Sequence, residues 1–248
     1  MFNDFTTIII TALAALVALT VHEFSHGYAA YKLGDNTARS LGRLTLNPLR
    51  HIDPFGALCM IFFHFGWAKP VPINARNFKN PKRDFAITAM AGPLSNVILG
   101  FISALLYLLS YRLLVAVATG MGEGFLYNFA YNLTLFCLYF HTLNVGLGIF
   151  NLIPIPPFDG SRILNVILPA RIYFKVMRYE RYIYWGVVAW LLLGGYVYSA
   201  LMSIGFIAAS PVLSTLARVF SLSGMISDAT GALSRLMLKF WELIFPFI

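Results

Sequence analysis

Two histidines and a glutamate within five residues, His22-Glu23-Phe24-Ser25-His26, are the side chains of this sequence best suited to chemistry. A spacing of four puts both imidazoles on one face of a helix, one turn apart. Imidazoles so placed can share one Zn²⁺, and a glutamate beside the first can serve as the general base of a hydrolysis. The setting is apolar, because residues 5–21 carry no charge. Ionisable groups at membrane depth are costly, so they mark a functional site by default.

Two ligands do not make a catalytic zinc site, which takes three protein ligands and keeps a fourth position open. The chain has ten acidic residues in which to find the third. Asp4, Asp35, Asp53, Asp84, Glu123, Glu180, Asp228 and Glu242 fall at span ends, in loops or in the tail. Glu23 and Asp159 are embedded in apolar sequence. Asp159 follows Pro154-Ile155-Pro156-Pro157-Phe158, a run that cannot stay helical. Irregular backbone at membrane depth is tolerated only where it is buried in protein or lines a cavity. Asp159 is therefore assigned as the third ligand. Cys59 and Cys137 are far apart and form no CxxC, so they imply neither a disulfide framework nor a cysteine-bound metal.

The elements that must carry these groups follow from composition. Of 248 residues, 59% are hydrophobic and 11% charged, against about 25% charged in soluble domains. Several apolar runs reach the roughly 20 residues needed to cross a bilayer. The fold class is an all-α polytopic membrane protein with about four transmembrane helices, at about 5–33, 81–117, 125–152 and 182–209. Pro93 should kink the second. The N-terminus lacks Lys or Arg before its apolar run, which argues against a cleaved signal peptide.

Between the first two spans, prolines and glycines break the chain. Arg43–Leu46 and Val71–Asn74 read as short strands, and Phe55–Trp67 as a re-entrant piece too short to span. Together they predict a membrane-associated β or re-entrant loop over the site. Residues 1–210 form the membrane-embedded domain and 211–248 an amphipathic tail. In the tail, Ser214, Arg218 and Ser221, and again Arg235, Lys239 and Glu242, recur at i, i+4, i+7, which predicts interfacial helices.

The net charge of +8 does not indicate nucleic acid, because the basic residues flank apolar spans. Nine Lys and Arg lie between Lys32 and Arg83 and four between Arg171 and Arg181. The positive-inside rule then places the N-terminus outside and both basic loops in the cytoplasm, against anionic lipid.

The stretches His22–His26 and Asn151-Leu152-Ile153-Pro154-Ile155-Pro156-Pro157-Phe158-Asp159-Gly160 resemble the HExxH and the asparagine–aspartate–glycine motifs of the site-2 protease family of intramembrane zinc metalloproteases. Gly42–Pro48, His51–Pro54, Ala68–Pro72 and Ala91–Asn96 resemble its compact bacterial branch, without PDZ or CBS domains, and the likeness covers about residues 15–165. It implies one Zn²⁺ held by His22, His26 and Asp159, with Glu23 as general base. It also implies an Asn151 that contacts the substrate backbone, transmembrane protein or peptide substrates, and a multi-pass place in a bacterial plasma membrane.

Other polar residues have plainer readings. Asn96 reads as an interhelical hydrogen-bonder, a role equally open to Asn151, and His51 with Asp53 as loop-positioning groups. His64 and His141 suggest no chemistry. The rival function is a non-proteolytic metal-binding protein or metal-ion carrier. A scaffold would be expected to lose Glu23 first, and a carrier would spread polar groups along several spans. Neither substrate identity nor oligomeric state is legible.

Overall fold

The computed structural model describes residues 5–56, 68–120, 122–218 and 221–246. Its first part runs through α1 (Phe5–Lys32), a short α2 (Thr37–Ser40), α3 (Pro81–Gly120) and α4 (Phe125–Asn151). After a proline-rich turn come α5 (Asp159–Ile167), α6 (Ala170–Arg178) and α7 (Glu180–Met202). The tail holds α8 (Gly205–Ala209), α9 (Pro211–Ala217) and α10 (Leu222–Ile244). Among the described residues four helices, α1, α3, α4 and α7, are long and apolar enough to cross a membrane.

The packing is small-side-in. On α1 the buried residues include Ala14, Ala18, His22, His26 and Ala30, each four after the last. Ile8, Ile9, Leu13 and Val17 point outward. On α3 the buried set includes Asp84, Thr88, Gly92, Asn96, Gly100, Ala104 and Leu108, again at intervals of four. Lipid tails are as apolar as leucine, so burying large side chains gains little there. Small residues instead let helix backbones approach. The α3–α4 pair shows this closeness. A Cβ added at Gly148 would fall 2.8 Å from Val97 Cγ2, and one at Gly100 2.7 Å from Val145 Cγ2. Pro93 lies within the unbroken α3, where its missing N–H leaves the Ala89 carbonyl without a helical donor.

The loop over the site contains no paired strand among the described residues. Its single β-bridge joins Ile52 and Ala68. Residues 71–74, expected as a strand, run without a ladder because Pro70 and Pro72 remove two donors from one edge. Residues 44–46 instead bend, with the Thr45 carbonyl accepting from His51 Nε2 at 2.8 Å. Asn47 and Asn74 each cap a short 3₁₀ turn, accepting from Leu49 N–H and Arg76 N–H, both at 3.1 Å. Of the expected re-entrant piece, residues 57–67 lie outside the described residues, as do Cys59, His64 and Trp67.

The fourth span stops at Met202, earlier than expected, where Ser203 and Ile204 turn the chain before α8. In the tail, Ser214 lies in α9, Arg218 is its C-cap and Ser221 is the N-cap of α10. These three therefore form no stripe on one helix. The second stripe does: Arg235, Lys239 and Glu242 are exposed on α10. The opposite face of α10 packs into the body, with Met237 buried beside Ala104 and Val145. The Trp241 indole N–H donates to the Phe101 carbonyl at 2.8 Å.

Candidate metal centre

Two elements bring three ligand atoms together. One turn of α1 supplies His22 and His26, both buried, whose Nε2 atoms stand 3.0 Å apart. Each lies 3.2 Å from Asp159 Oδ2 at the start of α5. Atoms bound to one tetrahedral zinc at about 2.0–2.1 Å are about 3.3 Å apart, close to this triangle.

The outer nitrogens decide what the inner ones can do. His22 Nδ1 is 2.6 Å from Asn96 Oδ1, and His26 Nδ1 is 2.8 Å from the Thr88 carbonyl. A carbonyl cannot donate. The Asn96 oxygen is identified by its amide nitrogen, which donates to the Ala18 carbonyl at 3.2 Å and to Asn144 Oδ1 at 2.8 Å. Asn144 donates in turn to the Phe140 carbonyl at 2.8 Å. Both Nδ1 atoms therefore carry the ring protons, and both Nε2 atoms keep their lone pairs. Two lone pairs and a carboxylate oxygen at 3.0–3.2 Å repel unless a cation sits among them. The donor set fits a zinc ion.

Two glycines make room. A Cβ on Gly92 would lie 2.3 Å from His26 Nε2 and 2.8 Å from His22 Cε1, so α3 passes directly beside the imidazoles. A Cβ on Gly160 would lie 2.3 Å from the Leu152 carbonyl, so only glycine lets α5 start against the end of α4. The turn between them, through Pro154, Pro156 and Pro157, is what aims Asp159 inward.

Glu23, beside His22, has one carboxylate oxygen tied to the Val71 N–H at 2.8 Å. The Asn151 amide donates to the Leu147 carbonyl of its own helix at 3.1 Å. His51 holds the covering loop through Thr45, and the Lys69 N–H returns a bond to the His51 carbonyl at 2.8 Å. Asp53 caps a turn by accepting from the Phe55 and Gly56 N–H groups. His141, buried on α4, donates from Nδ1 to the Gly100 carbonyl at 2.8 Å.

Sequence reasoning favoured a helix-joining role for Asn96, and it does join α3 to α1 and α4 while also holding the ring of His22 in the candidate metal group. Asn144 and Thr88 went unnoticed, and Val71, expected in a strand, acts instead through its N–H on Glu23. The one available signal was the four-residue rhythm of small and polar side chains along α3.

The profile of Peptidase family M50 matches residues 10–194. YwhC of Bacillus subtilis (strain 168), named as a proposed zinc metalloprotease, is 39% identical over 199 residues, 77% of this chain and 84% of its own. Rip2 of Mycobacterium tuberculosis (strain ATCC 35801 / TMC 107 / Erdman), named likewise, is 27% identical over 201 residues, 71% of this chain and 70% of its own. No solved structure matches the chain. With the profile spanning most of its length and the metal-ligand triangle inside the matched region, the chain belongs to peptidase family M50, the family of the site-2 proteases.

Proposed function

We propose that the protein is an intramembrane zinc metalloprotease of the site-2 type, hydrolysing peptide bonds in or near transmembrane segments of other proteins. The observation that carries this reading is the convergence of His22, His26 and Asp159 beside Glu23, amid membrane-length helices. Zinc, when bound, supplies a Lewis acid that polarises the scissile carbonyl and raises the acidity of water.

The chain's own groups do the rest. His22, His26 and Asp159 hold the metal, and Asn96 and the Thr88 carbonyl fix the two rings. Glu23 takes a proton from water as the water oxygen bonds to the carbonyl carbon. When the C–N bond breaks, Glu23 gives that proton to the leaving amine. A helical substrate hides its carbonyls in its own hydrogen bonds and must unwind first. Residues 71–74 could pair with the freed strand, though with few donors. The Val71 and Asn74 N–H groups serve Glu23 and Asp35, and Pro72 has none. That edge offers carbonyls and the Ile73 N–H. Asn151 would have to leave Leu147 to reach a substrate. By the positive-inside rule, the basic residues within 32–83 and 171–181 support a site toward the cytoplasmic face, against anionic lipid.

The test is cleavage of a single-span substrate by purified protein in zinc-containing vesicles. Glu23→Gln should keep the metal and abolish turnover, while His22→Ala and Asp159→Ala should lose the metal. Wild type that cleaves no substrate but moves zinc across the vesicle membrane would overturn the protease reading in favour of a carrier.

A further inference from the structure

Asp35 stands outside the metal cluster, in the turn that follows α1, yet it is wholly buried. Its carboxylate accepts from the Thr37 N–H at 3.0 Å, the Thr37 hydroxyl, the Asn74 N–H at 2.7 Å and the Asn77 side-chain amide at 2.7 Å. Burial alone would raise this carboxyl's pKa. The bonds from Thr37, Asn74 and Asn77 outweigh burial and hold it below the ordinary 3.8, so the group is an anion that binds four donors.

These donors lie on two chain segments. Thr37 belongs to the turn after α1, whereas Asn74 and Asn77 belong to the stretch that crosses over the site. Three residues before Asn74 on that stretch, the Val71 N–H donates to Glu23 Oε2. Pro70 and Pro72 flank Val71 and fix φ near −65° on either side, so the stretch is stiff and a shift at Asn74 reaches Val71. The Val71 side chain is buried against α1, where a Cβ at Gly27 would come within 3.2 Å of its Cγ1. Upstream, Arg43 Nη2 donates to the carbonyls of Lys69 at 2.8 Å and Pro70 at 3.3 Å. The stretch 69–77 is thus clamped at both ends, with the bond to Glu23 between the clamps.

We infer that Asp35 is a positioning residue for the hydrolysis: by fixing residues 74–77 it sets the Val71 N–H that orients the Glu23 carboxylate. The inference rests on Glu23 acting as general base. One carboxylate oxygen is tied to Val71 while the other stays available for the proton of water. Holding the base in one orientation removes freedom that would otherwise be lost on the way to the transition state. The metal ligands and their partners on α1, α3 and α5 do not depend on this latch. Its loss therefore falls on kcat.

The experiment uses full-length, zinc-loaded protein in vesicles with a single-span peptide substrate. Asp35→Asn places an NH₂ group against donors, and is expected to lower kcat about 10- to 100-fold. KM should stay within about twofold, and the zinc content should not change. Val71→Pro, which deletes the N–H, should give a loss of the same size. The double variant should be no slower than the slower single one, because both break one linkage. Asn77→Ala removes one donor from an exposed residue, so it keeps the test open should Asp35→Asn fail to fold, and it should give a smaller kcat loss. The inference is overturned if kcat is unchanged in these variants, if the two losses multiply, or if the defect appears as lost zinc or raised KM. Wild type that binds zinc and cleaves nothing is a separate result, which overturns the protease reading and this inference with it.

Discussion

A single methyl group at position 92 is the smallest change that tests the metal centre. The Gly92→Ala Cβ would sit 2.3 Å from His26 Nε2, inside any van der Waals contact, and the neighbour is a ligand atom that cannot move without leaving the triangle. Purified Gly92→Ala protein should therefore carry no stoichiometric zinc, and a normal metal content would show that α3 stands farther from the imidazoles. Asn96 acts more gently. Without its Oδ1, the His22 Nδ1 proton loses its acceptor, and the ring can turn or change tautomer. Partners of this kind alter metal affinity by about 10- to 100-fold. Competition with a chelator should show Asn96→Ala weakened by that much, with the Asn144 amide left without its donor and the fold retained. Affinity equal to wild type would reduce Asn96 to a helix-joining residue.

At the scale of elements, the third ligand depends on a junction rather than on a helix. Asp159 begins α5 only because Gly160 lies against the Leu152 carbonyl. Gly160→Ala should push α5 away and lower zinc affinity well beyond the Asn96→Ala loss. The α1–α3–α4 packing, which α5 does not build, should persist in a helicity measurement. Wild-type affinity in Gly160→Ala would mean that α5 tolerates the shift. This junction also shows what the sequence discloses. His22, His26 and Asp159 were legible because residue type, spacing and a proline-broken run all point to one chemistry. The spans were legible from length and apolarity. The covering loop was not, since alternating apolar residues at 71–74 suggested a strand while Pro70 and Pro72 withheld the donors a ladder needs. The bonds that complete the site escaped because Thr88 contributes a carbonyl and Val71 an N–H, which every residue possesses. The tail stripe at 214–221 failed where Ser221 was spent as a cap.

For the whole molecule, the site joins two parts of the chain that lie more than a hundred residues apart. Asp159 reaches His22 and His26 across the interior, and the α5 that bears it packs mainly on α3. A metal at this point bridges α1 to α5 and adds a tie that the unfolded chain lacks. A ligand that binds only the folded state stabilises it by RT ln(1 + [L]/Kd), about 4 kcal/mol when free ligand is a thousandfold above Kd. Removing zinc by chelation should therefore lower the thermal midpoint in detergent by several degrees, and restoring zinc should reverse the change. Glu23→Gln should retain the full shift, because its ligands are intact, while Asp159→Ala should show almost none. A midpoint indifferent to zinc in wild type, with metal binding verified directly, would mean that the metal stays bound through the thermal transition, so that melting leaves the α1–α5 junction intact.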